Sequence, residues 1–522
     1  MYRDINQRPI YCLVTFLMTP NATNDARSHL WWMTISLVLT AGAWASWLWS
    51  GQWSLLAGDA SLFYYIGQQV GTGTRLYRDI WDHKPPLLFF LNGLGTRLTP
   101  GSAWGVWAVA GVMQAAGWIF FVAAVRRLCG GAAAVGGQAA GLLGVLCLLV
   151  TPNMTEGFSV GLQATIFALA WLRLRSTMAA VVAGAAGAAL FQLRPNNAGA
   201  LLFWLCWMAW ALRAEPGRVV RQTVMTGAGF LLATVVMLGP LVSAGLWKDY
   251  IDAAFTFNFL YSASPVAAKL IVAAQQLGHW MRFGLLVLAL AGAAAGWVRC
   301  GAYRTAAAGL VLWFLLEWLA GAFSAKFYHH YTVTMLVPAA ALTALLGQAL
   351  LETGFRTKAG IAGVALAGLA GAMLLLEASR GVRYRYTELA SPELLSAAME
   401  AAGPVLPLTW GLMPRDLWFR LNRPPATAVF HTVSFHDQTT YQRLAGPMLD
   451  GFLAKTPPLA IIRTENEIPL FTKACGESAV AAPHLWDTPE LRDKKQALAG
   501  RYACWRQIGP FLLFRCRDCR AF

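Results

Sequence analysis

Between Ser28 and Ala378 the chain returns eleven times to a run of apolar residues long enough, or nearly so, to cross a bilayer. A spanning helix needs about 20 mostly apolar residues, and it satisfies its backbone polar groups internally once water is excluded. The runs cover 29–50, 103–125, 136–152, 158–174, 177–193, 197–213, 222–247, 281–299, 303–323, 330–350 and 359–378. Several are rich in Ala and Gly, which lets helix backbones approach closely in lipid. Charged residues make up 13% of the 522, against about 25% in a soluble domain. This excludes a soluble enzyme, a disordered chain and a coiled coil. It predicts an α-helical polytopic membrane protein, with 23 Trp and 14 Tyr available as interfacial anchors.

The basic residues orient the spans. Arg126 and Arg127, Arg173 and Arg175, Arg213, Arg218 and Arg221, Arg299 and Arg304, and Arg356 and Lys358 occupy alternate short loops. Arg3, Arg8 and Arg27 precede the first span. The positive-inside rule places all of them in the cytoplasm and the aromatic, Pro-containing loops outside. Eleven spans then carry the C-terminus outside. The net charge of +16 is spread over these loops and forms no stripe, so nucleic acid is not an expected partner. The short apolar stretch 9–19 reads as cytoplasmic or interfacial, because Arg27 directly precedes the first long span and no cleavage signal is evident. The expected organisation is a cytoplasmic segment 1–28, a membrane domain 29–378 and an extracytoplasmic domain 379–522. That last region has β-like runs at 404–410, 459–463 and 511–516 and a helical stretch at 393–402, enough for a small α/β or α+β domain.

The first outer loop is long and patterned. From Asp59, apolar Leu62, Phe63, Ile66 and Val70 recur at helical spacing, which describes an amphipathic helix in the interface. A second helix is expected to open at Pro85-Pro86. Asp59 at the first helix start is placed to cap backbone N–H groups. Lys84 opposes the dipole of the second helix unless an anion sits there too, and helix N-termini bind phosphate.

An Asp opening such a helix, followed by G-x-x-L-Y-x-D-x-x-D-H-K-P-P-L, resembles the lipid-linked-sugar glycosyltransferases of the GT-C superfamily. The resemblance is nearest to the glycosyltransferase family 39 group, with its protein O-mannosyltransferase-like and aminoarabinose transferase-like members. It runs along most of the chain: Leu193-Arg194-Pro195-Asn196, the aromatic loop from Tyr250 to Tyr261, Lys326–Tyr331 followed by Pro338, Trp410-Gly411 and the Asn422–Ala426 stretch. Many relatives have Asp-Glu at the head of the loop, where this chain has Asp59-Ala60.

The resemblance implies a GT-C-like fold in a bacterial inner membrane. It also implies sugar transfer, with inversion, from a polyprenyl-phosphate donor to a hydroxyl of a glycan, lipid or protein acceptor on the outer face. Such chemistry needs a carboxylate to take the hydroxyl proton and cations to meet the leaving phosphate. Asp59 is the expected base and Glu156 the second acid. Lys84, His83, Arg194, Lys326, His330 and Tyr331 are the phosphate-side candidates; Tyr64, Asp82, Tyr261 and Glu317 are the substrate-side ones. Glu317 lies within a span, where a charge costs about 2.5–3.5 kcal/mol on insertion scales, so it should face protein or a cavity and hydrogen-bond there. No His/Asp/Glu cluster has fixed metal spacing; no cofactor is called for, and a divalent metal is left open. A flippase or transporter, or an oligosaccharide ligase or polymerase, are the rival readings. Transport has no need of Asp59 and the Pro-Pro helix, and a ligase would place its large loop late.

Of nine Cys, Cys475, Cys504, Cys516 and Cys519 fall in the outer domain, where at least one disulfide is expected. Residues 502–507 and 511–516 read as a hairpin about Ile508-Gly509-Pro510, with Cys504 expected opposite Cys516. Four Cys allow three pairings, which stay open.

Overall fold

The computed structural model describes residues 25–49, 59–149, 151–299, 301–353, 358–383, 389–410, 413–414, 416–432, 438–463, 470–472, 480–482 and 484–517. The expectations placed on Arg3, Arg8, the 9–19 stretch, Arg356, Gly411, Cys475 and Cys519 lie outside the described residues. Each of the eleven apolar runs is helical, from Asp25–Trp49 to Lys358–Arg383. Some helices are shorter than their runs: 197–213 becomes a 3₁₀ turn Pro195–Ala198 and a helix Gly199–Ala211. Among the described residues five helices are long and apolar enough to cross a membrane, or six if Trp247–Tyr261 and Val266–Arg282 form one broken span. The chain is a mostly helical multi-span membrane protein with a small mixed sheet near its C-terminus. It divides into two compact units.

The first unit holds Met1–Gly51, Trp107–Leu238 and Ser264–Arg385. Its helices meet through small residues. A Cβ on Gly117 would lie 2.4 Å from the Gly161 carbonyl oxygen, and one on Gly161 would lie 2.2 Å from that of Met113. The Trp104–Leu128 and Thr155–Leu172 helices thus touch backbone to backbone, as Ala/Gly-rich spans allow. Large rings fill the space elsewhere: Trp171 stacks on Trp207 at 4.7 Å between centroids, and Phe203 on Trp313 at 4.9 Å. The helix Val266–Arg282 has no counterpart among the predicted runs.

The second unit holds Gln52–Val106, Gly239–Ala263 and Tyr386–Phe522. Its helices Ala60–Gly71 and Leu87–Leu98 pack with Gly67 against Asn92 and Gly93, so closely that a Cβ on Gly67 would fall 2.9 Å from the Gly93 nitrogen. The first was expected to lie in the interface with one face outward. Instead residues 60–69 are all buried, and the polar tips on that helix bind protein. The Tyr65 hydroxyl donates to the Arg423 carbonyl (2.6 Å) and the Gln69 amide to Asn422 Oδ1 (3.1 Å). The apolar spacing recorded burial against protein, not lipid.

The strands are β1 Leu408–Trp410, β2 Leu459–Arg463, β3 Phe471–Thr472, β4 Val480–Ala481, β5 Tyr502–Ile508 and β6 Phe511–Cys516. The main sheet runs β1-β2-β6-β5, parallel between β1 and β2 and antiparallel elsewhere; β3 and β4 pair separately. Helices at Pro392–Ala401 and Pro489–Ala499 open with Pro in the first turn under Ser391 and Thr488 caps. Cys504 and Cys516 are both disulfide-bonded. Their expected apposition is corrected: Cys516 faces Tyr502, and Cys504 faces Phe514. The strands leave the turn with Ile508 facing Phe511, and an irregularity between Cys504 and Arg506 shifts the register by one, so Cys516 falls two residue pairs beyond the partner of Cys504.

Candidate functional site

The second unit holds six of the expected residues. Asp59 stands at the N-cap position of Ala60–Gly71, and its backbone carbonyl takes the Phe63 N–H at 3.0 Å. Its side chain makes no capping bond, so the capping role is not one it plays. Asp82 is buried and accepts the Lys84 backbone N–H at 2.8 Å. Burial raises its carboxyl above the ordinary range; Lys84 opposes that rise and the Asp59 charge adds to it. The Lys84 ammonium donates to His83 Nε2 at 2.7 Å. An imidazole that accepts there carries its proton on Nδ1, which lies 3.8 Å from Asp82 Oδ1. Lys84 Nζ also stands 5.5 Å from the centre of the Phe63 ring. The Tyr261 ring is tilted against His83 at 5.7 Å. Tyr64 is employed in the fold, with its hydroxyl on the Ser102 carbonyl (2.6 Å) and its ring edge-on to Phe419.

Two residues outside the expected set hold this strand of acid, imidazole and ammonium. Tyr77, at a left-handed φ of 71°, donates its hydroxyl to the Lys84 carbonyl at 2.9 Å. Asn258 donates to the His83 carbonyl at 2.7 Å and to Ala254 at 2.9 Å. It follows a π-helical turn, Asp252–Thr256, of the kind that recurs at functional sites. Ion pairs tether this region: Arg78 with Asp249 (2.6 Å) and Arg443 with Asp252 (2.5 Å). The only sequence signal for either residue was its place inside a patterned loop.

The first unit holds a second cluster. Glu156 is in the first turn of Thr155–Leu172, 1% exposed, and not a solvated loop acid. Its Oε1 accepts from Arg194 at 2.6 Å and its Oε2 from the Thr155 hydroxyl at 2.8 Å. The Arg194 guanidinium carbon lies over the Tyr331 ring, 3.4 Å from its centroid. His330 is close enough for its charge to act on Glu156, and its ring packs on Tyr328 and Tyr331. Lys326 is half-buried on the same 323–331 segment, next to Ala325 with a left-handed φ of 53°. Such a conformation costs a non-Gly residue of order 1–3 kcal/mol.

Glu317 is fully buried in Ala302–Ala322. Gln163 and Trp313 donate to its Oε1 at 2.9 and 3.0 Å, and the Thr334 side chain and the Ala200 backbone also act on the carboxyl. A Cβ on Gly199 would come within 2.6 Å of the carboxyl carbon. The acid therefore fastens three helices and the 3₁₀ segment His329–Met335. Among the described residues no group of three His, Cys, Asp or Glu could hold a metal.

No protein-family model and no curated protein sequence matches the chain. The crystal structure of ArnT from Cupriavidus metallidurans in the apo state matches with a TM-score of 0.55 at 14% identity, over 93% of this chain and 98% of that one. The same protein bound to undecaprenyl phosphate gives 0.46 at 14% identity, over 91% and 97% of the two chains. The archaeal oligosaccharyltransferase AglB from Archaeoglobus fulgidus, in complex with an inhibitory peptide and a dolichol-phosphate, gives 0.45 at 11% identity, over 91% and 78%. By the first of these likenesses the chain shares the fold of that ArnT structure.

Proposed function

We propose that the chain is a glycosyltransferase that moves a sugar from a polyprenyl-phosphate donor to an acceptor hydroxyl. The observation that carries this reading is the Asp59 side chain. It heads a buried helix without capping it, in the unit that also holds the Asp82–His83–Lys84 stretch, within a GT-C fold. In the reaction the acceptor oxygen attacks the anomeric carbon and its proton passes to the Asp59 carboxylate. The bond from that carbon to the phosphate oxygen breaks, the configuration inverts, and the polyprenyl phosphate leaves. Lys84, fixed through His83, meets the charge that grows on the leaving phosphate. In the first unit Lys326, His330 and Arg194 are a separate group proposed for a phosphate-side role, with Glu156 as the group that orients Arg194.

In this proposal the 29–378 region spans a bacterial inner membrane, the Arg-bearing short loops are cytoplasmic, and 379–522 lies outside. The acceptor is a glycan, lipid or protein hydroxyl. Transport alone would not need a buried acid–imidazole–ammonium stretch in the same unit as a carboxylate that heads a helix without capping it.

Reconstituted protein offered each donor class separately tests the reading. Transfer is expected from polyprenyl-phosphate sugars. Efficient transfer from a nucleotide sugar with no polyprenyl lipid present would overturn it.

A further inference from the structure

Along one face of the Val266–Arg282 helix stand Gln276 and His279, three residues apart. Gln276 is completely buried, and neither its amide nitrogen nor its carbonyl oxygen has a hydrogen-bond partner among the described residues. The Nε2 of His279 is buried and equally unpartnered. So is the hydroxyl of Ser324, which is 1% exposed. Leaving polar groups unpaired in a protein interior costs roughly 1–3 kcal/mol each, so the unpaired atoms of these three residues call for an explanation.

These atoms line one stretch of chain. A Cβ on Gly321 would sit 3.4 Å from Gln276 Nε2 and 3.1 Å from the Tyr331 carbonyl oxygen; having none, Gly321 leaves room beside that amide. His279 stacks on His329 at 4.1 Å and meets the edge of Phe327 at 5.7 Å. The segment from Gly321 to Tyr331 thus passes along the Gln276–His279 face, with Ser324 between the two points of contact. The Ala325 φ of 53° turns the chain between Ser324 and Lys326.

We infer that Gln276, Ser324 and His279 form a subsite for the hydroxyl groups of a sugar, next to the residues assigned to the donor phosphate. The three side chains offer both donors and acceptors and carry no formal charge when the imidazole is neutral. That set suits a neutral polyhydroxylated ring and ill suits an anion, which has no donor for the Gln276 carbonyl. The cations stand on the same segment: Lys326 follows Ser324 by two residues, and Tyr331 carries the Arg194 guanidinium. The inference rests on the reading that these cations meet a sugar phosphate. The ring belongs either to the donor or to a glycan acceptor.

The test uses the full chain in nanodiscs. The probes are undecaprenyl phosphate, the same lipid carrying glucose, mannose, galactose or N-acetylglucosamine, and the methyl glycosides of those sugars. The wild type should bind at least one glycosylated lipid more tightly than the bare lipid if the ring is the donor's, or a methyl glycoside if it is the acceptor's. Gln276→Leu and Ser324→Ala should each weaken that sugar-dependent part about tenfold, the loss expected for a neutral hydrogen bond at the upper end of its range. Binding of the bare lipid should stay within about twofold. Gln276→Leu should not lower the melting temperature, because it removes an unpaired buried amide; a clear drop would show that the amide serves the fold, and would overturn the inference. So would a sugar preference that both variants retain, with the transferase reading left standing. A wild type indifferent to every sugar sinks the subsite, and one that also ignores bare undecaprenyl phosphate sinks the transferase reading with it.

Discussion

Replacing Asp59 by Asn separates folding from chemistry. The substitution preserves shape and removes one negative charge. Had Asp59 capped its helix, losing the cap would cost typically about 1 kcal/mol, but its side chain makes no such bond. The helix is held instead by the Tyr64 and Tyr65 hydroxyls, each 2.6 Å from a carbonyl oxygen. The stability change should therefore stay within about 0.5 kcal/mol, as for substitutions remote from any bonded feature. Removing the charge also relieves part of the upward push on the buried Asp82 carboxyl. Catalysis should respond on another scale. A positioned general base supplies about 10²–10⁴ in rate, or roughly 3–5 kcal/mol of barrier at 1.36 kcal/mol per tenfold. The assay is single-turnover transfer from a polyprenyl-phosphate sugar by purified Asp59→Asn protein, alongside its thermal unfolding. The expected result is an unchanged melting temperature and a rate lower by at least a hundredfold. A rate within threefold of wild type would refute the base assignment. A loss of rate that merely tracked a loss of folded protein would refute the separation.

Glu156→Gln should leave the Arg194 charge buried without its counter-charge and destabilise the protein by about 3–5 kcal/mol; thermal unfolding that shows a deficit under about 1 kcal/mol would contradict the pairing. In the C-terminal region Lys495 donates to the buried Asp487 at 2.9 Å and Tyr441 donates at 2.5 Å. Burial alone would raise the Asp487 carboxyl, but these bonds outweigh it and hold it below its ordinary 3.8. The stability this acid contributes is present above pH 3.8 and lost as pH falls through the lower folded value. Asp487→Asn should thus flatten the acid limb of a melting-temperature profile between pH 5 and about 2.5, and an unchanged limb would dismiss the linkage. With Cys129, Cys147 and Cys206, the free cysteines of the described residues, replaced by Ala, an impermeant thiol reagent on intact cells should label Glu490→Cys and spare Arg213→Cys; the reverse pattern would invert the proposed orientation.

The apolar runs were legible because a membrane span needs an unbroken stretch of one composition, and each of them is helical. Val266–Arg282 escaped for the opposite reason: Lys269, Gln275, Gln276, His279 and Arg282 dilute its hydropathy below that of a span. The β-like runs at 404–410, 459–463 and 511–516 landed on β1, β2 and β6, since short apolar strands flanked by Pro and Gly carry a local signal. The apposition of Cys504 and Cys516 failed because register is fixed by the turn and by the irregularity between Cys504 and Arg506, not by the presence of two like residues. In the candidate site, chemistry-bearing residues could be named from residue type and resemblance. Their neighbours could not: Asn258 reaches the His83 carbonyl across 175 positions of sequence, and a contact at that separation leaves no local pattern. The same holds for Glu156, whose pairing with Arg194 turns an apparent loop acid into a buried one.

The bond from Tyr65 to the Arg423 carbonyl joins residues 358 positions apart, and the Trp81 N–H likewise waits for the Ala428 carbonyl. At synthesis rates of about 5–20 residues per second, the stretch that carries Asp59 emerges roughly 20–70 s before the partners that bury it exist. During that interval its hydroxyls and apolar side chains must be covered by something else, lipid headgroups or a chaperone. Assembly of this stretch is then a late event, gated by completion of the chain. A ribosome stalled before Arg423 would display a protein whose early spans are inserted and whose Asp59 helix is still undocked.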